Sequence, residues 1–169
     1  MLDELARVAV APPEPLAILR VRGEPREALL ALGRRMGLVW PLEGNTAAGE
    51  GAAVLWLSPR EWLIVGQPPS AEALAESLGA VVHHLTDASH QLLALDLKGP
   101  LARALACAGC SLDLHPAVFG PGRCAATQLA GVPVTIRGVG DEDLRLYVDV
   151  SLAPWLRDWL NDAASTLRP

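Results

Sequence analysis

Leu92-Leu-Ala-Leu-Asp-Leu97, then Lys98-Gly99-Pro100, then Leu101, Ala104, Leu105 and Ala108 is the stretch on which the fold turns. The apolar run to Leu97 has the length of a buried strand, Gly-Pro breaks it, and the spacing that follows lines one face of a helix. The same order occurs earlier. Leu16 to Val21 reads as a strand, Arg22-Gly23-Glu24-Pro25 as the break, and Ala28, Leu29, Leu32 and Met36 as the helix face, with Pro25 in the first turn and Gly37 as the stop. The correspondence predicts a duplicated unit.

Outward from these two anchors the rest of each unit falls into place. In the first half Ala52 to Leu57 is a strand. Ser58-Pro59-Arg60-Glu61 has the S-x-x-E form of a capping box, but Trp62 to Val65 already reads as another strand, so a single tight turn is expected. After Gln67-Pro68-Pro69, Ser70 caps a helix running through Leu78, Gly79 ends it, and Ala80 to Leu85 is a strand, giving β-α-β-β-α-β. In the second half Arg123 to Leu129 and Val132 to Arg137 are strands around Ala130-Gly131. A charged turn, Gly138 to Asp143, leads to a strand from Leu144 to Val148. Ser151 is expected to cap a last helix with Pro154 in its first turn and Leu152, Trp155, Leu156, Trp159 and Leu160 on one broad apolar face. The expected architecture is α+β: two tandem split β-α-β (ferredoxin-like) units, about 16–87 and 88–165, forming one domain. Residues 1–15 are expected to be an arm outside the core, because Ala11-Pro12-Pro13-Glu14-Pro15 lacks backbone donors and favours an extended chain.

With 169 residues the chain has the size of one domain at about 150 residues each. Its net charge is −5, and Lys98 is the only lysine beside 13 arginines, which argues against a phosphate-tracking surface and hence against nucleic acid as a partner. Hydrophobic residues make up 51% and mean hydropathy is +0.28. Yet the longest stretch free of Asp, Glu, Lys and Arg, Cys124 to Ile136, falls short of the roughly 20 residues a membrane helix needs. The apolar excess therefore suggests cover by another protein chain and no membrane. Met1-Leu2-Asp3-Glu4 is acidic where a secretory signal is basic, and three cysteines suit thiols better than disulfides, so a cytoplasmic location is expected.

Several constellations invite chemistry. Cys107-x-x-Cys110 with His115 begins like a zinc knuckle, but Cys124 lies too far on, and the run around Cys107 calls for small buried residues, so core thiols are expected. A redox C-x-x-C would open a helix, whereas this one ends it. His83, His84 and His90 flank Asp87-Ala88-Ser89, but no G-x-S-x-G elbow exists, and His83 and His84 on one strand point to opposite faces. Asp141-Glu142-Asp143 lacks the ligand alternation of a calcium loop and reads as a solvated turn. No G-x-G-x-x-G or Walker loop is present, so neither a catalytic apparatus nor a nucleotide-binding loop is visible. Trp40, Trp56, Trp62, Trp155 and Trp159 supply five of seven aromatics; tryptophan serves both as core filling and as an interface anchor, and the pair on the last helix is expected in the core. The connection from Leu114 to Gly122 holds two prolines and two glycines yet carries Leu114, Val118 and Phe119, the only phenylalanine. Either Phe119 plugs the core of its own domain, or the loop, with Arg123 and the proline-rich arm, docks on a partner. The candidate interface is Leu114, His115, Pro116, Phe119 and Arg123.

Four stretches carry a resemblance. They are Trp56-Leu57-Ser58-Pro59-Arg60-Glu61-Trp62-Leu63; Asp87-Ala88-Ser89-His90; Gly99-Pro100; and Cys110-Ser111-Leu112-Asp113-Leu114-His115-Pro116 with Phe119, Pro121-Gly122-Arg123-Cys124-Ala125 and Thr127. Together they resemble the gamma subunits of heterotetrameric sarcosine oxidase, over about 16–164. Asp-x-Ser before an apolar strand and Gly-Pro is also similar to the wider folate-binding group that includes the glycine-cleavage T-protein. Ala88 stands where that pattern usually has a β-branched residue, and Cys107 lies outside it. The resemblance implies one folate-binding-type domain acting as an accessory subunit beside alpha, beta and delta subunits. In such a complex sarcosine is oxidatively demethylated to glycine, with hydrogen peroxide and either formaldehyde or methylene-tetrahydrofolate formed. FAD, FMN, NAD and folate would belong to the large subunits and zinc to delta, with none of them, no catalytic residue and no metal ligand in this chain. Alternatives are a gamma-like subunit of another flavin-dependent secondary-amine oxidase or dehydrogenase, acting on N-methylglutamate or proline, and a stand-alone folate-binding protein.

Overall fold

Ten strands and four helices make up the chain in a computed structural model that describes residues 6–167. In chain order they are β1 (Arg7–Val10), β2 (Leu16–Val21), α1 (Arg26–Met36), β3 (Ala47–Ala48), β4 (Ala53–Ser58), β5 (Glu61–Val65), α2 (Ala71–Leu78) and β6 (His83–Asp87). Then follow β7 (Leu92–Lys98), α3 (Ala102–Cys107), β8 (Cys124–Leu129), β9 (Val132–Gly138), β10 (Leu144–Asp149) and α4 (Ala153–Thr166). The chain divides into two compact units. One is Glu14–Ser89; the other joins His90–Pro169 to the N-terminal residues through Pro13.

Each unit holds one five-stranded antiparallel sheet, ordered β3-β4-β5-β2-β6 in the first and β8-β9-β10-β7-β1 in the second. The two orders correspond strand for strand, with β2 and β7 equivalent and β1 in the place that β6 holds in the other sheet. The α+β duplication expected from the sequence is thus present, with one correction. Residues 7–10 of the supposed arm form a strand, Val8 facing Leu97 in the register with β7 and packing on that unit's core, and Ala11 is buried; residues 1–5 of the arm lie outside the described residues. Among the described residues no strand follows α4, and β1 from the N-terminal segment covers the edge of β7. Adjacent prolines masked this strand in the sequence.

In the first unit Leu29 and Leu32 of α1 and Leu74 and Leu78 of α2 pack with Leu19, Val21, Val54 and Ile64. Gly37 ends α1 at φ 68°, the left-handed closure that glycine adopts without strain. Ser70 caps α2 as expected, its Oγ accepting from the Ala73 N–H at 3.1 Å. Ser58-Pro59-Arg60-Glu61 is the tight turn of the β4–β5 hairpin. In the second unit alternate residues Leu144, Leu146 and Val148 of β10 join Leu95, Leu97, Leu105, Ile136, Leu156 and Leu160 in the core.

The start of α4 departs from expectation. Leu152 occupies the cap position without a side-chain bond, while the Ser151 hydroxyl donates to Asp149 Oδ1 at 2.6 Å. Trp155 is 51% exposed, so the apolar face is narrower than its spacing suggests; Leu156 and Leu160 are fully buried and Trp159 is partly buried against the core. No helix among the described residues is long and apolar enough to cross a membrane.

Candidate functional site

The loop between α3 and β8 is organised by one side chain. Arg103, on α3 and 8% exposed, donates from Nη1 to the carbonyls of Leu114 (2.6 Å) and Phe119 (2.9 Å), from Nε to Asp141 O (2.6 Å) and from Nη2 to Gly140 O (2.8 Å). Burial pushes its guanidinium below the usual arginine value, while Asp141, Cys107 and Asp143 act in the opposite direction. Its planar fork of donors reaches carbonyls on two segments at once, which a lysine could not do. Gly138 completes the arrangement: a Cβ there would sit 2.3 Å from Gly120 O and 2.9 Å from Phe119 O, so only glycine lets β9 pass the loop. Neither residue carries a local sequence signal for this role. Arg103 looks like a solvated charge on a short helix, and Gly138 like part of a turn.

This clamp separates the five candidate interface residues. Leu114 and Phe119 turn into the core of their own unit, Phe119 being 7% exposed. His115, Pro116 and Arg123 are exposed. The His115 N–H donates to Asp113 Oδ1 at 2.9 Å, and its Nδ1 accepts from the Ala117 N–H at 3.2 Å, which leaves Nε2 carrying the proton of the neutral ring. The loop thus plugs its own core with two apolar residues and keeps three polar or ring-bearing ones outside.

The other constellations resolve into structural roles. The Ser89 N–H donates to Asp87 Oδ1 at 2.9 Å, and Ser89 Oγ accepts from Leu16 N–H at 3.0 Å, so Asp87-Ala88-Ser89 ties the end of β6 to the start of β2. His83 Nδ1 lies 2.8 Å from Val81 O. Asp143 does more than line a solvated turn, because its Oδ1 accepts from the Gly99 N–H at 3.2 Å and anchors the β9–β10 turn to the start of α3. Cys110 and Cys124 are buried, but Cys107 is exposed, contrary to the expectation that all three are core thiols. No group of three or more His, Cys, Asp or Glu among the described residues could hold a metal ion.

Each unit also has a concave region among its described residues. In the second unit Val10 and Val150, 50% and 48% exposed, border a groove of about 130 Å³ with Leu93, Pro154 and Arg157; Trp155 and Leu152 are exposed on the same helix start. In the first unit a cavity of about 240 Å³ is walled by Trp56, Trp62, Leu29 and Leu42, with Glu24 and Arg26 among its charged members.

Comparison with known proteins gives one consistent result. A family model described as the sarcosine oxidase, gamma subunit family matches residues 24–166. The chain is 34% identical over 154 residues to sarcosine oxidase subunit gamma of Corynebacterium sp. (strain U-96), covering 89% of this chain and 74% of that one. To its counterpart in Arthrobacter sp. it is 33% identical over 156 residues, covering 89% and 77%. Among solved structures, a chain of the heterotetrameric sarcosine oxidase from Corynebacterium sp. U-96 in complex with pyrrole 2-carboxylate superposes with a TM-score of 0.84 at 30% identity, over 95% of this chain and 84% of that one. The glycine cleavage system aminomethyltransferase T from Bartonella henselae shares the fold, with a TM-score of 0.65 at 15% identity over 93% of this chain and 45% of that one.

Proposed function

The chain belongs to the sarcosine oxidase gamma-subunit family, and from that premise we propose that it is the accessory subunit of a heterotetrameric oxidase, assembled with alpha, beta and delta subunits in the cytoplasm. The complex converts N-methylglycine, O₂ and water to glycine, formaldehyde and H₂O₂, or passes the one-carbon unit to tetrahydrofolate. FAD, FMN, NAD, folate and zinc reside in the partner subunits, and this chain contributes binding surface and stability. The observation that carries the proposal is the match, over 95% of this chain and 84% of the other, to one chain of a heterotetrameric oxidase.

Docking on a large flavin-bearing subunit uses the open members of the α3–β8 loop, His115, Pro116 and Arg123, and the half-exposed Val150 and Trp155. An exposed tryptophan beside a valine-lined groove has the character of an interface anchor. Co-expression of the tagged chain with the three other subunits tests the proposal. All four should co-purify in fixed ratio, and Trp155→Glu or Arg123→Glu should reduce recovery of the large subunits without lowering the chain's own melting temperature. A complex of the other three that forms in equal yield and turns over N-methylglycine equally well without this chain overturns the accessory role.

A further inference from the structure

We propose that the α3–β8 loop and the β9–β10 turn, tied together by Arg103, form one pre-shaped surface that docks on a partner subunit, with Val118 and Val139 as its apolar contacts and Arg103 as its positioning residue. This rests on the assembly reading above and adds to it a second segment, a chemistry for the opposing face and a residue that acts from beneath the interface.

Neither segment lies within a strand or a helix, so other bonds must give it shape. In the loop, the N–H groups of Val118 and Phe119 both donate to His115 O, at 2.9 and 2.8 Å, and the Ala117 N–H donates to His115 Nδ1, which closes a single turn over 115–119. In the β9–β10 turn, the N–H groups of Val139 and Gly140 donate to Asp143 O at 3.2 and 3.3 Å, while the Asp143 carboxylate accepts from the Gly99 N–H. Arg103 then holds both ends of the first turn, at the Leu114 and Phe119 carbonyls, and the crest of the second, at those of Gly140 and Asp141. A backbone tie from the Gly138 N–H to Arg123 O at 3.0 Å fastens the two segments a second time. Ordering them costs conformational entropy that is lost on folding and is not lost again on docking, so a surface built this way keeps more of its contact energy.

What the clamp leaves outside decides the partner. Val118 and Val139 are 55% and 40% exposed, and each stands next to a carbonyl that Arg103 holds, that of Phe119 or of Gly140. Single exposed valines are ordinary, but two on segments fastened to each other, with Pro116 and Pro121 exposed on the same loop, make an apolar surface that another protein can cover. Charge around them is divided by segment. Arg123 belongs to the loop, where Asp113 is turned back onto the His115 N–H, and Asp141 and Glu142 belong to the turn; neither Arg123 nor Glu142 makes an ion pair with any described residue. The complementary partner is a protein face with an apolar centre, an acidic group against Arg123 and a basic one against Glu142, the dry centre and polar rim of a protein interface. A polyanion such as a nucleic acid would be repelled by the acidic turn.

Recovery of the partner subunits with the tagged full chain, after co-expression of all four, provides the test. Val118→Glu combined with Val139→Glu should lower recovery about tenfold or more, and Glu142→Arg should lower it several-fold, while the melting temperature of the free chain is unchanged because all three side chains are exposed. In the assembled protein the amides of 117–118 and 139–142 should exchange more slowly than in the free chain. Arg103→Lys, assayed well below its own melting temperature, should speed exchange in both segments together and lower recovery several-fold. With Val118→Ala and Val139→Ala already present it should lower recovery no further, whereas a residue that only stabilises the fold would act by the same factor in both backgrounds. Glutamate variants that recover the partners as wild type does, while Trp155→Glu does not, overturn this surface and leave the assembly reading standing. Unchanged exchange on assembly overturns it as well, and a wild-type chain that recovers no partner overturns both.

Discussion

Replacing Arg103 with methionine tests whether one guanidinium organises the second unit. Methionine keeps most of the apolar stem but removes all four hydrogen bonds. The carbonyls of Leu114 and Phe119 are the interior acceptors, at 2.6 and 2.9 Å from Nη1, and leaving both unsatisfied costs about 1–3 kcal/mol each. Those of Gly140 and Asp141 lie nearer solvent, where water can take over much of the loss, so roughly 0.5–1 kcal/mol each is assigned to them. Against this gross loss of about 3–8 kcal/mol stands relief from burying the charge, an effective penalty of several kcal/mol in proteins. A net destabilisation of about 2–4 kcal/mol is expected, which at ~2–4 °C per kcal/mol for a chain of this size lowers Tm by about 5–15 °C. Urea and thermal unfolding followed by circular dichroism measure it. Arg103→Lys should fall between the two, because an ammonium cannot span both segments, and Arg60→Met, an exposed control, should stay within about 0.5 kcal/mol of wild type. If Arg103→Met matches that control, the loop holds itself and the clamp assignment is wrong.

Phe119→Ala should cost about 3–5 kcal/mol of stability, since the ring is 7% exposed within the core; a drop below about 1 kcal/mol would mean that the ring faces outward in solution. Combined with Arg103→Met it should be non-additive by about 0.5–3 kcal/mol in a double-mutant cycle, because Arg103 holds the Phe119 carbonyl. Gly138→Ala should disrupt the β9–loop contact, where the new methyl meets two carbonyl oxygens. Amide exchange in β9 and in 114–123 should rise, and unchanged protection there would contradict the close approach. The Asp149 carboxyl is held below its usual value by the Ser151 hydroxyl first and the Ser151 N–H second. Because its folded value is depressed, its contribution is present above the unfolded carboxylate range and fades as pH falls through the folded value. Ser151→Ala should therefore move the Asp149 titration, read by NMR, upward, and an unmoved titration would show that the hydroxyl bond does not persist in solution.

How far local pattern reached is visible in particular elements. The strand from Leu16 to Val21 matches the bounds read from sequence, and Ser70 and Gly79 bound α2 as expected, because hydrophobic period, caps and breakers act within a few residues. The same locality explains the failures. Ser151 satisfies every local requirement of a helix cap yet donates to Asp149, and Trp155 has the spacing of a core residue yet stands half in solvent. The family motifs were legible as a string, but the division within Leu114-His115-Pro116…Phe119…Arg123 between core and surface was not, since it depends on which carbonyls Arg103 reaches from α3.

The sequence by itself determined the duplicated α+β order, most strand and helix positions and the family, all of which rest on residue type at short spacing. Only the tertiary structure decided that Arg7–Val10 completes the second sheet, that Gly138 and Arg103 fix the loop, and that Trp56 and Trp62 line an open cleft with Glu24 and Arg26. Each of these joins segments far apart in the chain through an open sheet edge, a steric limit or a shared charge. Such contacts leave no periodic signal for a short window of residues to register.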